Sequence, residues 1–232
     1  MRLFAALRGK EAELGKSLNP RMRLKTNVEV DGHNLRTASM GCKSAMTKYP
    51  ELVKKWQSKH KGKTLPKYFL MPIKVLGAWQ RGSDKCILEP GHLKLVAPGG
   101  KGGTEGLEEV RDSKIMNKVM AKKTVIFPDG AEAWKTVALE QRRGLKIAAV
   151  VHAKSQFVKK DRVGKIRGAS GWRGTQVIDR RWEGLDKWVG SELATLKDGV
   201  VNEALWVRMR SYQWRVHHND KDKYKLLGSK CR

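Results

Sequence analysis

Asn27-Val28-Glu29-Val30-Asp31-Gly32-His33-Asn34-Leu35 alternates, with β-branched valines set between acids, and it predicts a strand. Side chains two apart share a strand face, so Glu29, Asp31 and His33 project together. Three ionisable groups on one face are costly to bury unless a cation or a partner element meets them. A fold for this chain must leave that face in solvent or bring something to it. Both solutions stand open in the sequence.

A second stretch is as definite. Ile178, Trp182, Leu185 and Val189 recur at i, i+4, i+7 and i+11 and predict one apolar stripe of a helix. Thr175, just after Gly174, stands at the N-cap position, where its hydroxyl can accept from a free first-turn N–H. Asp179 then falls in the first turn, about 100° round from the stripe. There it either complements the helix dipole or is held on the shoulder of a buried face to look into a cleft.

Between and around these stretches the chain alternates. Residues 1–26 read as an N-terminal extension with weak helical periodicity, broken at Asn19-Pro20. Residues 41–65 form a basic insertion, with a short helix between Pro50 and Pro66. Residues 67–79 and 85–90 read as a hairpin turning at Gly82-Ser83, with Pro72 marking a bulge or an edge position. A helix is expected over 105–120, then a buried strand over 123–130 closed by Asp129, then a helix over 131–139. Residues 145–152 predict a further buried strand ending in His152. Lys159, Lys160, Arg162, Lys165, Arg167 and Arg173 make a basic loop that feeds into the Thr175 helix, where Arg180 follows. A last helix over 196–216 precedes a lysine-rich tail, 218–232. A meander of three strands followed by alternating elements implies an α/β (α+β) fold, with one mixed sheet of five strands and helices on its faces.

Charge narrows the partners. Lys and Arg number 49 against 23 Asp and Glu, a net +26. That balance favours a polyanion, and 40% hydrophobic residues with eight Trp place the charge on a folded domain rather than a disordered tail. Three cysteines without a CxxC pair encode no zinc ribbon and suggest a reducing compartment. No apolar run reaches membrane-spanning length, and the first residues are charged too soon for a secretory signal. The loop Pro98-Gly99-Gly100-Lys101-Gly102-Gly103 lacks phosphate-loop spacing, so no small-molecule cofactor is expected.

Asp31, Asp129 and Asp179 follow one another on a strand, a strand end and a first helical turn. Carboxylates that converge repel and need cations between them. Hard oxygen ligands suit Mg²⁺ or Mn²⁺, and two such ions would serve phosphodiester chemistry.

The same residues carry a family resemblance. Val28-Glu29-Val30-Asp31 resembles the first-strand VEVDE signature of the insertion-sequence XO-type (ISXO-like) transposase domain. Pro128-Asp129-Gly130-Ala131-Glu132-Ala133-Trp134 is similar to its TD-x-x-x-x-Y segment, and Val150-Val151-His152-Ala153-Lys154 to its V-N-H-S strand end. Thr175–Leu185 resembles T-N-x-I-E-S-x-W-x-x-L, and Tyr212-Gln213-Trp214-Arg215 is similar to the aromatic and Arg near that domain's end.

The resemblance covers about residues 27–217 and implies an RNase H-like catalytic domain of the DDE transposase and integrase superfamily. It implies Asp31, Asp129 and Asp179 as a catalytic triad binding two Mg²⁺ or Mn²⁺ ions, with His152 as an accessory. Glu183, one turn after Asp179, could assist or replace it. The basic loop and Arg180 would hold DNA, and a homodimer on DNA follows by analogy. Transposition would place the protein in a nucleus, or in the cytoplasm and nucleoid of a bacterium, and not among secreted proteins. The chain departs from the pattern at Gly32, where the family has a second acid, and at Asp179, where it has Glu. A zinc-ribbon region before the first strand is also missing. These departures motivate an alternative: a degenerate or domesticated domain that binds DNA without cutting it.

Overall fold

A computed structural model describes residues 2–100, 105–129, 131–141, 144–149, 159–160, 172–173 and 175–218. The expected meander forms. β1 (Leu24–Gly41) pairs antiparallel with β2 (Tyr68–Gln80), and β2 with β3 (Cys86–Pro90). β4 (Val119–Pro128) then lies parallel to β1 on its other side, and β5 (Lys146–Ile147) parallel to β4. The five-stranded mixed sheet runs β3-β2-β1-β4-β5, so β1 is its centre.

Alternation along β1 divides the protein into two cores. Val28 and Val30 are fully buried among Leu76, Ile126, Trp134 and Val137. That face is covered by α4 (Leu107–Asp112) and α5 (Glu132–Gln141). The opposite face packs Phe69, Ile73, Val75 and Trp79 against α2 (Cys42–Lys48), α3 (Pro50–Lys59), α6 (Gln176–Val189) and α7 (Glu203–His217). The stripe expected on α6 is seated there, with Ile178, Leu185 and Val189 fully buried and Trp182 nearly so. Each such side chain contributes about 1.5–3 kcal/mol on leaving water.

Within the basic insertion, Val53 and Trp56 of α3 enter the core while the lysines stay exposed. Pro72 sits where β2 has β1 on one side only, because β3 pairs with Val75–Trp79 and the next contact is Leu70 with Val96. A proline without an N–H is accommodated at that local edge.

Two expectations are corrected. The helix expected over 105–120 stops at Asp112, because Lys114 adopts a left-handed φ of 55°. A 3-10 turn, Ile115–Lys118, follows, and Val119 pairs with Leu24 as the start of β4. The last helix begins at Glu203, not 196. Asp198 and Gly199, with φ of 52° and 75°, turn a hairpin of β8 (Leu196–Lys197) and β9 (Val200–Val201). Asp-Gly is a strong signal for such a turn. Asn202 then caps α7, its side chain accepting from the Ala204 N–H.

Of the strand expected over 145–152, Lys146–Ile147 pairs with β4 and the Ala148 N–H donates to the Ile126 carbonyl at 2.9 Å, while residues 150–152 lie outside the described residues. Residues 2–21, expected within an extension, form helix α1 (Arg2–Arg21) packed along α7. There the Ser211 hydroxyl donates to buried Glu11, which also pairs with Arg215 at 2.8 Å.

Candidate active site

The charged face of β1 is not left to solvent. A strand advances about 6.6 Å over two residues and a helix about 6.0 Å over four, so alternate residues of β1 can meet every fourth residue of α6. They do so three times. Glu29 accepts from the Ile178 N–H at 2.7 Å, Asp31 from Trp182 Nε1 at 2.8 Å, and His33 Nε2 lies 3.0 Å from Asp186. His33 also stacks on the Trp182 ring, 5.2 Å between centroids at 10°.

Glu29 is the capping group of α6. Its fully buried carboxylate takes the first-turn N–H groups of Ile178 and Val177, and its other oxygen pairs with Arg81 at 2.5 Å. Burial raises its pKa, and those N–H groups and Arg81 oppose the rise. The Thr175 hydroxyl, expected to cap, instead donates to Asp179 at 3.2 Å.

Asp31 and Asp129 stand side by side. In the parallel pair of β1 and β4, Val30 is in register with Pro128, so the next residue on each strand is one of these acids. Asp129 follows the carboxyl end of β4, where α/β sheets hold ligands, and Asp31 lies beside it partway along β1, at the point where the parallel pairing ends. Asp31 is 8% exposed. Burial raises its carboxyl to about 8, helped by the charges of Asp129 and Glu105 and opposed by the Trp182 hydrogen bond. Asp129 is half-buried and turns one oxygen back to the Ala131 N–H at 3.1 Å. Gly77, opposite Asp31 on β2, makes room for the indole, since a Cβ there would collide with Trp182.

Glu105 is an acid the sequence reading missed. Its carboxylate lies over Gly32, and a Cβ at position 32 would collide with it. Burial first, and then the charge of Asp129, raises its pKa. An acid therefore occupies space beside Asp31 although position 32 carries none. Lys74, 6% exposed, tempers Glu105 and its neighbour Glu109 from the next strand.

The other anticipated residues are placed as follows. Asp179 is exposed on α6, on a different side from the Trp182 and Asp186 positions that face β1. Glu183 is exposed and paired with Lys187 at 2.6 Å. Arg180 is exposed. Lys159 and Lys160 pair with Arg173 and Trp172 as two short antiparallel strands, β6 (Lys159–Lys160) and β7 (Trp172–Arg173). His152, Arg162, Lys165 and Arg167 lie outside the described residues.

Among the described residues, no three or more His, Cys, Asp or Glu side chains stand in ligating geometry. The adjacent Asp31 and Asp129 nevertheless offer the donor set that suits Mg²⁺, which binds through one or two carboxylates and completes its shell with water and substrate phosphate. No helix among the described residues is long and apolar enough to cross a membrane. Comparisons with protein-family models, curated proteins and solved structures gave no match.

Proposed function

We propose that this chain is a DDE-type, metal-dependent DNA strand-cleaving and strand-joining domain with an RNase H-like fold. The observation that carries the reading is the adjacency of Asp31 and Asp129 where the parallel pairing of β1 and β4 ends, in a chain of net charge +26. The strand order β3-β2-β1-β4-β5 and helices on both faces support the fold assignment.

Asp31 and Asp129 would hold the divalent ion, with Glu105 beside them as a further acid. Mg²⁺ or Mn²⁺, when bound there, supplies charge neutralisation at the phosphodiester and a nucleophile active at neutral pH. The chain's own contribution is orientation. Trp182 fixes one oxygen of Asp31, the Ala131 N–H fixes one of Asp129, and Glu29 anchors the helix that carries Trp182. Lysines and arginines, including Arg180 and the segment from Lys159 to Arg173, hold the DNA backbone by neutralising phosphates. The protein would act where DNA is, with assembly as a dimer on its ends.

The test is nicking of supercoiled plasmid by the purified chain with Mg²⁺ or Mn²⁺. Asp31→Asn and Asp129→Asn should each abolish it, and nicking that survives both substitutions overturns the site. The exposure of Asp179 favours a second reading, a domain that binds DNA without cutting. Salt-sensitive DNA binding with neither nicking nor divalent-ion affinity would select it.

A further inference from the structure

A cavity of about 1000 Å³ opens between α3 and the segment that runs from His92 into α4. We propose that it receives an unpaired nucleotide of the DNA strand, with the base against the Trp56–His60 wall and the phosphates on Lys55 and Lys59. The inference rests on reading the chain as a DNA-acting domain.

The cavity suits one flat, partly apolar group. Pockets for small ligands run to about 300–1000 Å³, which admits a nucleotide and excludes a duplex. Its lining is mainly apolar, with Leu52, Leu93, Leu95 and Val96 beside the aromatic wall. His60 stacks on Trp56 at 4.4 Å and 16°, and its Nδ1 is held 2.9 Å from the Trp56 carbonyl. Phe69 packs edge-on behind Trp56 at 5.5 Å. The wall is thus rigid before any base arrives. Bases of every kind have a π-face, so such a wall accepts them without regard to sequence.

The opposite side is equally fixed. Glu109, buried under the cavity, accepts from the His92 N–H at 2.9 Å, Lys94 Nζ at 2.8 Å and the Gly106 N–H at 3.1 Å. Its charge is spent on holding the 92–94 segment to the start of α4. Four Lys and Arg side chains line the cavity against two Glu, and Lys55 and Lys59 are exposed at its edge without an ion pair among the described residues. A phosphate is the complementary charge.

Position relates the cavity to the acids. Gly106 lines it, and the preceding residue, Glu105, lies over Gly32 beside Asp31. A strand that frayed at the acids would have its loose nucleotide next to this cavity.

The test compares two DNA probes without divalent ions: a blunt duplex, and the same duplex with a three-nucleotide unpaired end carrying 2-aminopurine. The full chain should bind the tailed probe about tenfold more tightly and quench the 2-aminopurine. Lys55→Gln with Lys59→Gln, and separately His60→Ala, should remove most of that preference while both variants still bind the blunt duplex. Equal binding of the two probes by the unaltered chain, or a preference and quench that both variants retain, overturns the proposal. So does evidence that a second copy fills the cavity: dimers in sedimentation that Leu93→Glu disperses, with DNA binding untouched. Failure to bind either probe at low salt overturns instead the DNA-acting reading on which this one stands.

Discussion

Trp182 Nε1 donates a 2.8 Å hydrogen bond to Oδ2 of Asp31, joining residues 151 positions apart in the chain. The bond is the middle rung of three between β1 and α6. It orients a carboxylate that burial and neighbouring charge otherwise drive toward protonation. The same indole lies on Gly77 and under His33, so its position is set from three sides.

Trp182→Phe should therefore keep the stack on His33 and lose the rung. With Asp31 protonated below about pH 8, a hydrogen bond of this kind is worth about 0.5–1.5 kcal/mol, and a loss of that order should appear in urea denaturation at neutral pH. Any nicking should fall further than the loss of folded protein explains. Unchanged stability and nicking would mean that the indole is only packing.

Asp31 sets a pH dependence. Its folded pKa of about 8 stands above the ordinary carboxylate value because burial and then Asp129 disfavour its charge. The folded form thus binds a proton that the unfolded chain releases near pH 4. The associated stability is fully present below the unfolded pKa and is lost as pH rises toward 8. Asp31→Asn removes that loss. In the absence of divalent ions, the variant should gain on the unaltered protein between pH 4 and 8, by more than about 1 kcal/mol at the upper end. Parallel stability curves across that range would contradict the assignment.

Glu29→Ala should be among the costliest single changes. It removes the fully buried carboxylate that pairs with Arg81 at 2.5 Å, and it uncaps α6. Breaking such a buried pair costs about 3–5 kcal/mol. Hydrogen exchange at the Ile178 and Val177 amides should accelerate ahead of exchange in β1. Glu29→Gln, which keeps an acceptor for the helix, should recover part of the loss.

Gly32 and Glu105 can be tested as a pair. Gly32→Ala places a methyl where the Glu105 carboxylate lies, so the Glu105 side chain must swing aside from Asp31 at a cost of about 1 kcal/mol, the low end of overpacking. Glu105→Ala clears that space, and in its background Gly32→Ala should cost almost nothing. A double-mutant cycle on unfolding free energies reads the coupling directly. Additive effects would show that the two residues do not share the space.

Much of the scaffold was legible because it is written in short-range periods. Two-residue alternation marked β1, and the i, i+4, i+7 stripe marked the buried face of α6, since each period follows from the geometry of its own element. The break at Lys114 and the Asp198-Gly199 hairpin do not follow from those periods: at the first, sheet pairing to Leu24 overrides the local helical pattern, and at the second, two positive-φ residues interrupt it.

The sequence alone determined that Glu29, Asp31 and His33 share one face and that this face needs a partner. Tertiary structure alone decided the partner. The cap on α6 comes from Glu29, 149 positions before Ile178, and not from the adjacent Thr175. The acid over Gly32 comes from Glu105, across the meander. Asp179, in the first turn as its spacing foretold, faces solvent, because the neighbouring Ile178 and Trp182 take the buried side. Periodicity fixes which side chains point together. Which distant group they meet depends on how strands and helices pack, and no local pattern carries that information.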